Sequence, residues 1–83
     1  MTYDVVFSLE ATAELLRIAL TIRPATSVVL AADSIRKMLE QDPHRVGHAL
    51  SEGLFFVDEE PLRAFFVIDE DARQVEITDF RIL

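Results

Sequence analysis

The second half of the chain sets the tightest limit on its fold. Residues 53–81 read GLFFVDEEPLRAFFVIDEDARQVEITDFR, three apolar runs parted by short acidic turns at Glu59-Glu60-Pro61 and Glu70-Asp71-Ala72. Charged turn residues between β-branched and aromatic runs are the mark of antiparallel hairpins. Strands are therefore expected at about 53–58, 62–68 and 73–81, joined as a meander. Six of the fourteen residues in DEEPLRAFFVIDED are carboxylates, and they bracket a run with a single arginine, Arg63.

The first half reads differently. TYDVVF (2–7) is rich in β-branched and aromatic types and predicts a strand. Ser8 stands where a helix N-cap belongs. Beyond it Leu9, Ala13, Leu16 and Leu20 recur at helical spacing, with Leu15 and Ala19 widening the face, so a helix is expected over 9–22. Pro24 ends that helix and suits the first turn of another. Val28, Ala31, Ala32, Ile35, Met38 and Leu39 form the apolar face of this second helix, which stops before Asp42-Pro43; Leu30 lies off the face. From Gln41 to Gly53 the chain is punctuated by Pro43, Gly47 and Gly53 and reads as a connecting loop. The order is β-α-α-β-β-β. A two-layer α+β domain follows, two N-terminal helices packed on a small antiparallel sheet, with residues 1–83 as one domain. The first strand must join that sheet to satisfy its backbone groups, and its partner is expected in the C-terminal meander.

Composition narrows the function. The chain has 83 residues, no cysteine and a net charge of −7, with eight basic against fifteen acidic residues. Without cysteine there is no disulfide, thiolate nucleophile or thiolate metal site, in keeping with a reducing cytoplasm. A surface this acidic repels a phosphate backbone, so duplex DNA is excluded as a general partner. No apolar stretch approaches a membrane span, and MTYDVVFSLE lacks the basic and apolar regions of a secretory leader, so neither membrane nor leader is expected.

Few residues carry candidate chemistry. His44 and His48 are four apart, but Pro43 and Gly47 interrupt any helix that would align them, and no third ligand is near; no metal is expected. The serines lack a nucleophile-elbow context and no glycine-rich loop exists to cradle a phosphate, so no cofactor is expected either. Arginine remains. Arg63, Arg73 and Arg81 lie on or beside the last two strands, and Arg45 lies in the loop before them. If Leu62, Ala64, Phe66 and Ile68 face the helices, Arg63 points to the uncovered side of the sheet. There it either meets a ligand's oxyanion through its planar fork or pairs with Glu59, Glu60 or a cross-strand acid such as Glu76.

The pattern as a whole resembles the RelE/ParE superfamily of type II toxin–antitoxin toxins. MTYDVVFSLEATAELLRI is similar to that family's strand entering a helix, RKMLEQDPHRVGHAL to the end of its second helix and following loop, and EEPLRAFFVIDEDARQVEIT to its hairpin. The resemblance covers nearly the whole chain. It implies an antitoxin partner whose C-terminal segment folds as it wraps helices and sheet, with ribosome-bound mRNA or DNA gyrase as the target and a homodimer as a further state. By the same resemblance Arg63 matches the arginine near the start of the middle meander strand and Arg81 a second basic position, with His48 and Asp79 as acid/base candidates of an mRNA endoribonuclease. The strand GLFFVDE, however, has no lysine or arginine where nucleolytic members place basic residues. The expected function is thus a toxin-like component acting chiefly through protein contacts, with its nuclease site degenerate.

Overall fold

The computed structural model describes residues 2–83. Strand β1 (Asp4–Phe7) leads into helices α1 (Leu9–Thr21) and α2 (Ala25–Gln41). A one-turn helix α3 (Pro43–Val46) follows, then strands β2 (His48–Ser51), β3 (Leu54–Glu59), β4 (Leu62–Asp69) and β5 (Gln74–Ile82). The five strands form one sheet in the order β1-β5-β4-β3-β2, with α1 and α2 packed on one face.

The expected meander is present: β3, β4 and β5 pair antiparallel through short turns. Period-two alternation splits β4 as its sequence demands. Leu62, Ala64 and Phe66 are fully buried toward the helices, while Arg63, Phe65 and Val67 lie on the other side. Strand β5 follows the same rule with Val75 and Ile77 inward, then changes phase. Phe66 pairs with Ile77 but Phe65 pairs with Asp79, leaving Thr78 as the extra residue of a β-bulge, and Phe80 becomes the next buried side chain. The Thr78 hydroxyl donates to the Phe65 carbonyl at 3.3 Å and steadies the bulge.

Three expectations are corrected. The sheet is mixed and not wholly antiparallel, because β1 pairs parallel to β5 from Asp4↔Gln74 to Phe7↔Ile77. The chain between β1 and β5 is long, so no turn geometry fixes the strand's direction; what fixes it is the entry to α1. There the Ser8 hydroxyl donates to the Thr78 carbonyl at 3.1 Å and accepts from the Ala11 N–H at 3.0 Å, acting as N-cap and as clamp on β5. Second, residues 41–53 are more than a loop. Asp42 caps α3, whose first residue is the buried Pro43, and His48–Ser51 pair with β3 as an edge strand. Every residue of β2 is exposed on this edge, so no apolar alternation announced it.

The third correction concerns α1. Its buried residues are Ala11 and Ile18, with Leu15, Ala19 and Ile22 packed against the core. Leu9, Leu16 and Leu20 are instead 85%, 63% and 76% exposed. The helix carries two apolar stripes, and periodicity alone cannot choose between them. Ala11 is small enough to bring the start of the helix close to the sheet, where Ser8 is clamped to β5.

Two local features lock the layers. A Cβ on Gly47 would stand 2.6 Å from the Phe66 ring and 2.8 Å from the Pro43 carbonyl, so only glycine fits between α3 and β4. Phe66 in turn stacks on Phe55 with centroids 5.6 Å apart. In the β4–β5 turn Arg73 adopts φ 52°, a left-handed value unusual for an arginine, and its guanidinium lies 4.2 Å over the Tyr3 ring. Tyr3 donates to Glu70 at 2.8 Å and His44 contacts the same carboxylate oxygen at 2.6 Å, tying β1, α3 and this turn together. These two bonds, His44 first, hold the Glu70 carboxyl below the usual carboxylate range.

Two stability measurements follow from this packing. Gly47→Ala is expected to cost about 1–3 kcal/mol in denaturant unfolding through overpacking against Phe66, and an unchanged midpoint would contradict it. Ile18→Ala is expected to cost about 2–5 kcal/mol, whereas Leu16→Ala stays within about 0.5 kcal/mol. Equal losses at both positions would show that the two stripes of α1 are assigned wrongly.

Candidate functional site

The face of the sheet without helices gathers the four residues singled out by sequence. One line of cross-strand partners runs His48–Phe56–Phe65–Asp79 from β2 to β5. The adjacent line on the same face runs Asp58–Arg63–Arg81. Two guanidiniums and two phenyl rings thus form a small lattice with His48 at one end and Asp79 at the other. The bulge at Thr78 is what turns Asp79 and Arg81 to this side, since uninterrupted alternation from Ile77 would send both into the core.

The contacts within the lattice are specific. Arg63 lies 4.3 Å over the Phe56 ring and Arg81 lies 5.6 Å over the Phe65 ring. His48 packs on Phe56 with centroids 5.2 Å apart. A shallow cleft of about 260 Å³ is lined by Leu50, Leu54, Phe65, Thr78, Asp79 and Arg81. Asp79 accepts from the Phe80 N–H at 2.9 Å, which orients its carboxylate locally. His48 and Asp79 stand three strand spacings apart, roughly 14 Å. At that distance they cannot both reach the same reacting phosphate; each borders the lattice on its own side.

Arg63 has a partner, a cross-strand acid as expected, though it is Asp58 and not Glu76. Asp58, directly across the β3–β4 pair, accepts two hydrogen bonds, from Arg63 Nε at 2.7 Å and Nη2 at 2.9 Å. Sequence reasoning placed Asp58 at the end of the first meander strand without naming it as the partner of Arg63. Its position as the last outward residue of β3 before the turn was the available signal. The Arg63 hydrogen bonds hold the Asp58 carboxyl below its usual range, and the same bonds raise the Arg63 pKa further. This pairing also offsets the repulsion between Arg63 and its other cross-strand neighbour, Arg81. The remaining sequence candidates lie elsewhere. Arg73 and His44 belong to the Tyr3 network at the opposite end of the sheet, and Arg45 lies on α3. Among the described residues no three His, Asp or Glu side chains converge as a metal site would require. No helix is long and apolar enough to cross a membrane.

A second surface was not anticipated as such. The exposed stripe Leu9, Leu16 and Leu20 runs the length of α1, with Ala13 exposed between them, and Val29 and Leu30 of α2 are also exposed. Isolated exposed leucines are ordinary, but a stripe at helical spacing on a small acidic chain is a candidate contact surface. Glu14 and Arg17 pair along its flank, where Arg17 also sits in the field of Asp79.

No protein-family model matches the chain, and no curated protein matches it in sequence. Solved structures do. A chain of the RelBE2 toxin–antitoxin complex from Mycobacterium tuberculosis superposes with a TM-score of 0.84 at 22% identity, over 100% of this chain and 93% of that one. The chain has a RelE/ParE-like fold. A chain of the chromosomal ParDE system from P. aeruginosa matches with a TM-score of 0.77 at 20% identity, over 99% of this chain and 97% of that one. A chain of the archaeal RelE–RelB complex from Pyrococcus horikoshii OT3 matches with a TM-score of 0.68 at 13% identity, over 99% and 96%. The RelE/ParE-like architecture therefore spans the described chain from β1 to β5.

The Asp58–Arg63 pair makes a pH-dependent prediction with a definite sign. A carboxylate whose folded pKa is depressed adds stability above its unfolded value, and that contribution is lost as pH falls through the folded pKa. The pair therefore weakens only in acid, below the ordinary aspartate range. In carbon-detected NMR titrations Asp58 is expected to titrate below the ordinary aspartate range, and Arg63→Ala to raise it back toward that range. An unchanged Asp58 titration in Arg63→Ala would show that the pair does not persist in solution.

Proposed function

We propose that this chain is the toxin-type member of a toxin–antitoxin pair and acts chiefly through protein contacts, with its exposed α1 stripe receiving the antitoxin. The observation that carries this reading is the leucine stripe. A chain with an otherwise consistent core leaves Leu9, Leu16 and Leu20 in water on one helix face. The fold supports the reading, since RelBE2 is a toxin–antitoxin complex and ParDE a toxin–antitoxin system. The occupant would be a segment with apolar residues at helical spacing that orders as it binds. The net charge of −7 favours a basic segment, through faster encounter and through contacts along the rim.

A second reading, an mRNA endoribonuclease, is favoured by the outer-face lattice that unites Arg63, Arg81, His48 and Asp79. Two guanidiniums would stabilise charge on a phosphate, and one of the two end residues, His48 or Asp79, would supply proton transfer. Bidentate capture of Arg63 by Asp58 weighs against it as the working state. DNA gyrase is the protein target to which a non-nucleolytic member would turn.

The deciding experiment is co-expression with the product of the adjacent small open reading frame. Co-purification is expected with the wild type and is expected to be lost in the double variant Leu16→Glu, Leu20→Glu while the circular dichroism spectrum is retained. A complex that survives the double variant removes α1 as the docking face, and failure to recover any partner removes the reading itself. Induced expression alone, scored for growth, mRNA cleavage and supercoiling, separates the targets. Ribosome-dependent cuts relieved by Arg63→Ala would favour the endonuclease, and altered supercoiling would favour gyrase.

A further inference from the structure

Asp58 fills both prongs of the Arg63 fork. A guanidinium presents two parallel N–H donors, and a phosphodiester offers two non-bridging oxygens that match them as a carboxylate does. The surroundings suit such a ligand. Phe56 lies under Arg63 and Phe65 beside Arg81, so each cation is set over a flat apolar ring on an open sheet. Aromatic faces interleaved with cations on a sheet surface are how single-stranded nucleic acids are held, bases on rings and phosphates on guanidiniums. Arg81 forms no ion pair among the described residues and stays available as the second cation.

The obstacle is charge. A chain of net charge −7 repels polyanions, and the acids of this face cancel its two arginines. Most of the acidic residues lie in turns or on helix surfaces, where screening over a Debye length of about 8 Å blunts their reach. Asp58 is different, because it occupies the very donors a phosphate would use. We propose that Asp58 is an intramolecular stand-in for a single-stranded nucleic-acid phosphodiester, keeping an oxyanion site on Arg63 filled until a ligand or partner displaces it. The proposal rests on the nucleic-acid reading of the outer face and adds its control: the arginine is in place, and its own chain masks it. Asp58 contacts no substrate in this scheme; it governs whether Arg63 can.

The test uses the full chain and labelled single-stranded oligonucleotides, one RNA and one DNA of the same sequence, followed by fluorescence anisotropy at low salt. Asp58→Asn keeps the side-chain shape and removes the charge, and it is expected to tighten binding of at least one strand by about tenfold. Adding Arg63→Ala is expected to abolish the gain, and Glu60→Gln, which removes the same charge nearby, is expected to leave binding at the wild-type level. The DNA and RNA arms show which sugar the site accepts, and a gain with either supports the proposal. Equal affinities of wild type and Asp58→Asn would overturn it. So would a gain that persists in Asp58→Asn, Arg63→Ala, or one that Glu60→Gln reproduces, since either is a bulk charge effect. Should Asp58→Asn fail to fold, Asp58→Ser serves, with the same outcomes. Tight binding by Asp58→Asn without any cleavage of ribosome-bound mRNA would support the masking role and remove only the endonuclease reading. Absence of binding leaves the antitoxin interaction to its own experiment.

Discussion

The alternation of β4 is the constraint on which the rest depends. Leu62, Ala64 and Phe66 are fully buried while their neighbours Arg63, Phe65 and Val67 line the opposite face. A slip of one residue would drive the Arg63 guanidinium into an apolar core and expel Phe66, so the register is strongly specified. Phe66 then sets the position of the 41–53 segment, because only Gly47 allows α3 to close over its ring. The same strand carries the paired arginine outward at the centre of the sheet. Core and candidate site are two sides of one eight-residue segment.

Much of this was legible in the sequence. The three C-terminal strands, both long helices, the Ser8 cap and the outward direction of Arg63 follow from period, turn chemistry and punctuation. What escaped did so for physical reasons. Strand β2 buries none of its residues, so it lacks the alternating signal that a half-buried strand displays. The parallel sense of β1 is fixed by the Ser8–Thr78 clamp, a contact between residues 70 apart in sequence. On α1, two apolar stripes satisfied the same helical period, and the more leucine-rich of them is the one left in solvent.

The candidate site was partly legible. Arg63, Arg81, His48 and Asp79 were selected as separate residues, and the sheet sets them on one face in two adjacent lines. Asp58 was passed over because acids beside turns are ordinarily solvated and need no partner. Its bidentate bond to Arg63 is a property of cross-strand register, which composition does not reveal. The two surfaces that emerge also differ in character. The α1 stripe is apolar and convex, suited to an amphipathic segment, while the outer sheet face pairs aromatic rings with two arginines whose charge its own acids offset.

The bulge at Thr78 has a wider consequence. It acts as a reading-frame shift in the sheet, exchanging inside for outside over the last part of β5. If the same residues paired without the bulge, Phe80 would turn to water and Asp79 and Arg81 to the core. A pairing that absorbs Thr78 into the ladder is therefore barred by folding itself. Side chains on the outer face can drift one at a time, while the backbone that presents them is held by the needs of the core. A protein built this way can lose or change an activity by substitution and keep the scaffold on which that activity could be rebuilt.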